Sequence, residues 1–113
     1  MVTIYHNPRC TKSRETLNLL QEGKEEIKVI EYLKTPPTKE ELKKLLSQLG
    51  IPAEDLVRKG EELYKEKYKG KKLSDDEWIK IMAANPVLIE RPIVIKGNKA
   101  IIGRPPVNIY KIL

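Results

Sequence analysis

Residues 2–22, VTIYHNPRCTKSRETLNLLQE, decide the fold. They open on an apolar run, Val2 to Tyr5, that reads as a short buried strand. The turn His6-Asn7-Pro8-Arg9 follows. Pro8 steers the residue before it away from helix and suits a loop just ahead of one. Thr11 to Glu22 then reads as a helix, with Leu17 and Leu20 on one face and Gly23 as its stop. This strand–turn–helix puts Cys10, the one cysteine of the chain, at a helix N-terminus. Unpaired N–H groups and the positive end of the helix dipole gather there, and both favour a thiolate. Cysteines so placed have pKa values of about 3.5–7.5, against about 8.5 when free. The same N–H groups suit a tetrahedral oxyanion held against the sulfur. A free cysteine is often a small buried hydrophobe instead. The polar setting of Arg9, Lys12, Ser13 and Arg14 argues for the reactive reading.

Downstream, Ile27 to Tyr32 reads as a second strand and Pro36-Pro37 breaks the chain. Thr38-x-x-Glu41 is a capping box that opens a helix striped by Leu42, Leu45, Leu46 and Leu49 and closed by Gly50. Short helical pieces are expected over residues 54–59 and 61–68. A second capping box, Ser74-x-x-Glu77, opens a helix through Trp78, Ile81 and Met82 that ends near Asn85-Pro86. Pro92 to Lys96 reads as a strand, Gly97-Asn98 as a hairpin turn, and Lys99 to Ile102 as the partner strand. A last helix begins at Pro105-Pro106 and carries Val107, Ile109, Tyr110 and Leu113. The order is βαβ, a helical segment, then ββα. That predicts an α/β thioredoxin-like domain over residues 1–113, with a helical insertion of about residues 38–85 between its halves.

The bulk properties exclude several functions. A chain of 113 residues suits one domain, and its 40% hydrophobic content suits one core. No apolar run approaches the ~20 residues of a membrane span. The start, MVTIYHNPRC, has no basic region followed by an apolar one, so no secretory signal is read. One cysteine forms no internal disulfide, and a cytoplasmic location is expected. The net charge of +6 is spread along the chain with Glu between the Lys residues, which reads as a solvated face rather than a nucleic-acid surface. One His and one Cys are too few dedicated ligands for a zinc site, so no metal and no bound cofactor are expected. The chain reads as a monomer.

Arginine is used sparingly. Only five of the 22 basic residues are Arg: Arg9, Arg14, Arg58, Arg91 and Arg104. Two flank Cys10 and two precede proline. The planar guanidinium fork matches oxyanions better than a lysine amine does. Taken singly, each Arg also reads as half of a surface ion pair. Ser13 stands where a Cys-x-x-Cys redox pair would have its second thiol, so any adduct on Cys10 needs an outside thiol for release. Two readings of Ser13 stand level: a hydrogen bond to the thiolate, or packing in the first helical turn. His6 either tunes the thiolate or fixes the turn, and the structural role is favoured slightly. Pro92 is the natural candidate for the cis-proline that thioredoxin-like folds place beside the active cysteine. Arg91 would then point near Cys10, with Arg104 opening the last helix on the same side of the sheet.

The run HNPRCTKSRETL resembles the active-site segment of the arsenate reductases coupled to glutathione and glutaredoxin, the ArsC family. EYLKTPPT, LVRKGEELYKE, NPVLIERPIV and IGRPP match further blocks in the same order, so the resemblance spans essentially the whole chain. It implies that Cys10 attacks arsenate and that Arg58, Arg91 and Arg104 bind the oxyanion. It also implies that glutathione then attacks as co-substrate and that glutaredoxin resolves the mixed disulfide, a chemistry of arsenic resistance. Two other classes share the fold. One is a thiol oxidoreductase or glutathione-handling enzyme with no physiological arsenate activity. The other is an Spx-type regulator that binds RNA polymerase. Members of that second class usually carry Cys-x-x-Cys, whereas this chain has Cys10-x-x-Ser13.

Overall fold

The computed structural model describes residues 1–113. The chain divides into two compact units, one of residues 1–35 with 91–113 and one of residues 36–90.

The first unit is built on a four-stranded sheet. Its strands are β1 (Val2–His6), β2 (Ile27–Glu31), β3 (Ile93–Lys96) and β4 (Lys99–Ile102), in the order β2-β1-β3-β4. Strand β2 runs parallel to β1, while β3 and β4 are antiparallel to their neighbours. This is the βαβ…ββα thioredoxin-like arrangement. Central β1 is buried almost throughout, as a strand covered on both faces must be. Helix α1 (Thr11–Gln21) carries the crossover from β1 to β2. Val2, Ile4, Leu20, Val94 and Ile109 form the core of this unit, with Leu17, Leu19, Ile27 and Ile101 packed against it. Burying each such side chain contributes roughly 1.5–3 kcal/mol. Gly97 turns the β3–β4 hairpin at φ 59°, a conformation L side chains resist. The last helix is a 3-10 helix, Pro106–Lys111, which buries Ile109 under α1.

The second unit contains α2 (Lys39–Leu49), α3 (Glu62–Lys67) and α4 (Asp75–Ala84). Both capping boxes are closed. Thr38 and Ser74 each accept from the backbone N–H three residues on, and Glu41 and Glu77 accept from the cap N–H in return. Trp78 is buried against the rings of Tyr64 and Tyr68. The helix expected over residues 54–59 is shorter than read. A 3-10 turn spans Ala53–Leu56, after which Val57 is extended and bridges Ile89. Arg58 N–H donates to Leu88 O at 2.7 Å, and Glu90 N–H to Leu56 O at 2.8 Å. A partner 32 residues away thus overrides the local helical preference. No helix is long and apolar enough to cross a membrane.

Candidate active site

Cys10 is the N-cap residue of α1, with extended backbone at φ −96° and ψ 124°. The turn before it is tied to itself. Cys10 N–H donates to Asn7 O at 3.0 Å, and Arg9 N–H donates to Asn7 Oδ1 at 3.0 Å. An Asn side chain fixing the backbone two residues on is a common turn device. The fully buried Ser13 hydroxyl accepts from Asn7 N–H at 3.0 Å and lies 2.6 Å from His6 Nδ1. Strand end, turn and first helical turn are therefore joined through one hydroxyl.

Helix α1 starts without the devices that close α2 and α4. It has no side-chain cap hydrogen bond and no acidic residue in its first turn. The positive end of its dipole is left to the sulfur. Arg104 Nη2 donates to Cys10 Sγ at 3.5 Å, and Arg104 Nε donates to Arg91 O at 2.6 Å. Burial pushes the Cys10 thiol up. The Ser13 backbone N–H, a hydrogen bond from Arg91 and the charges of Arg91 and Arg104 outweigh it, so the pKa lies below the ordinary thiol value. For Arg91, burial disfavours the charge. The Cys10 sulfur and the Tyr32 hydroxyl beside its guanidinium more than restore it and hold the group cationic. His6 is pulled down, chiefly by burial and further by Arg14, against an opposing pull from Glu31.

The peptides Arg91–Pro92 and Arg104–Pro105 are both cis. The place of Pro92 before β3 marks it in the sequence, whereas nothing local marks Pro105. Arg91 and Arg104 both reach the Cys10 sulfur.

Arg14 is exposed, and its guanidinium donates to Pro8 O at 2.9 Å and Thr11 Oγ1 at 3.3 Å, bracing the turn backbone. Arg58 belongs to the second unit. There it is paired with Glu61 at 3.3 Å and Glu90 at 3.2 Å. Sequence reading missed Asn7, Thr16, Tyr32 and Gly103. Asn before Pro was the available signal for the first. Tyr32 and Gly103 lie inside the EYLKTPPT and IGRPP blocks without a feature of their own that marks them. No group of three His, Cys, Asp or Glu side chains is placed to hold a metal ion.

A surface with one activated sulfur and two guanidinium groups suits nucleophilic attack on a tetrahedral oxyanion. The chain matches the ArsC family over residues 5–112. It is 50% identical to the uncharacterized protein YfgD of Escherichia coli K12 over 114 residues, which cover 99% of this chain and 96% of that one. It is 42% identical to an arsenate reductase of Neisseria meningitidis serogroup A over 114 residues, covering 99% of this chain and 97% of that one. The solved structure of an arsenate reductase from Vibrio cholerae superposes with a TM-score of 0.94 at 51% identity, covering 99% of this chain and 97% of that one. The geometry at Cys10 and the match along nearly the full chain lead to the same statement: this protein belongs to the ArsC family.

Proposed function

We propose that the protein is an arsenate reductase in which Cys10 is the nucleophile. The observation that carries this reading is the convergence of Arg91 and Arg104 on the Cys10 sulfur at an uncapped helix start. The arsenate reductases among its relatives support the substrate. The Cys10 thiolate attacks the arsenic of arsenate. An S–As bond forms, an As–O bond breaks, and the oxygen leaves as water after taking up protons. Arg91 and Arg104 neutralise the oxyanion, and the resemblance adds Arg58 to them. Glutathione then supplies the second sulfur. As the Cys10–glutathione disulfide forms, two electrons pass to arsenic, which departs as arsenite. Glutaredoxin exchanges its thiol into that disulfide and frees Cys10. Since the chain has no second cysteine, reduction has to come from outside it. A reducing cytoplasm is the compartment where such a relay runs.

Arsenite formation with glutathione and glutaredoxin tests this reading, with Cys10→Ser as the control. Turnover by the wild type and none by the serine variant is expected. Equal turnover by both would refute the nucleophile. Glutathione binding without arsenite formation would move the assignment to a glutathione-handling enzyme.

A further inference from the structure

Gly103 sits where α1, the start of β3 and the end of β4 meet. It is buried. Its N–H donates to Pro92 O at 2.9 Å. Its carbonyl lies 3.5 Å from Thr16 Oγ1, which donates to Lys12 O at 2.8 Å within α1. A Cβ at position 103 would meet Thr16 Oγ1 at 2.8 Å, Pro92 Cγ at 3.0 Å and Thr16 Cγ2 at 3.2 Å. The backbone at 103 does not have the positive φ seen at Gly50, Gly70 and Gly97, so the demand here is for space rather than conformation. Neither neighbour gives way cheaply. Thr16 is fully buried and β-branched, and it turns both Oγ1 and Cγ2 toward the glycine. Pro92 is a buried rigid ring.

Each of these three residues is tied to a group of the site. Gly103 immediately precedes Arg104, Pro92 immediately follows Arg91, and Thr16 lies in the second turn of the helix that Cys10 caps. Arg104 is also pinned to Arg91 O. The thickness of this seam therefore sets how far the start of α1 stands from Arg104. We infer that Gly103 is a positioning residue: its lack of a side chain lets α1 close on the Arg91–Pro92 and Arg104 segments until Cys10 Sγ comes within reach of Arg104. This rests on the reading of Cys10 as the working thiolate. A methyl group at 103 wedges the seam open, and a shift of about 1 Å is enough to break the contact and slow the chemistry.

The test uses Gly103→Ala, Thr16→Ala and the double variant. Two readouts apply: titration of the thiolate by its ultraviolet absorbance, and kcat/KM for arsenite formation. Gly103→Ala is expected to raise the thiolate midpoint toward that of ordinary cysteine and to lower kcat/KM by about 10- to 100-fold. Thr16→Ala sets the reference midpoint, because it removes the same side chain without adding a methyl group at 103. The double variant, relieved of two of the three obstructing atoms, returns most of the way to it. A purely structural role would make the double variant worse, because Thr16→Ala itself removes buried contacts. A wild-type midpoint in Gly103→Ala, or a double variant that titrates no lower than Gly103→Ala, overturns the inference. Should Gly103→Ala not fold, the double variant decides: a midpoint matching Thr16→Ala supports the inference, and one at the free-cysteine value overturns it. The titration needs no arsenate, so a wild type without arsenite formation would refute the proposed function and leave this result standing.

Discussion

Arg104 Nη2 reaches Cys10 Sγ at 3.5 Å across 94 positions of sequence. The contact joins the two ends of the chain at the point where the sheet delivers them side by side. β1 ends just before Cys10, β3 begins just after Arg91, and β4 ends just before Arg104. The strand order β2-β1-β3-β4 is what places these three ends together.

Removing that guanidinium takes a charge and a donor from the thiolate. Arg104→Ala is expected to raise the pH midpoint of Cys10 alkylation and to lower kcat/KM by about 100-fold. Arg104→Lys keeps the charge without the fork that spans Arg91 O and the sulfur, so it falls between Ala and wild type. Iodoacetamide rates across pH measure the first effect and steady-state kinetics the second.

Ser13 serves the site in two separable ways. Its hydroxyl holds Asn7 N–H and His6 Nδ1, while its backbone N–H favours the thiolate. Ser13→Ala leaves two buried groups short of a partner and should cost about 1–3 kcal/mol in urea denaturation. The alkylation midpoint should hardly move, since the N–H remains. A large shift with unchanged stability would reverse the two roles.

The lowered Cys10 pKa couples to stability with a definite sign. The folded protein holds the thiolate more readily than the unfolded chain. The gain is full above the unfolded thiol value of about 8.5 and fades as pH falls through the lower folded value. The stability of the reduced wild type relative to Cys10→Ser should therefore rise from acid to alkaline pH. Denaturation of both proteins at several pH values checks this, and a flat or falling difference contradicts it.

The second unit answers to its caps. Thr38→Ala and Ser74→Ala each break a reciprocal box and should each cost about 1 kcal/mol. The bonds of each box are local to the start of its own helix, so alkylation rates of the folded variants should match wild type.

What could be read from the sequence was what is encoded locally. Apolar runs, the proline before a helix, Gly97-Asn98 and the two capping boxes each act within a few residues, and the strands and helices follow from them. Cys10 was legible for the same reason, because a strand, a turn and a helix start are contiguous. Pairings between distant segments were not legible. Val57 reads as helix until Ile89 pairs with it. Ser13 and Thr16 look like ordinary polar helix residues, yet they are buried against His6 and Gly103. Arg14, four residues after the cysteine, turns to the carbonyl of Pro8. Arg58 meets two carboxylates that its own segment reveals only in part, since Glu90 lies 32 residues on.

The account turns on Cys10 being a stabilised thiolate, and the pH profile of its alkylation by iodoacetamide measures that most directly. A midpoint below the ordinary thiol value, rising in Arg91→Ala and Arg104→Ala, is the predicted result. A wild-type midpoint at about 8.5, the value of free cysteine, with no response to either arginine, would contradict it.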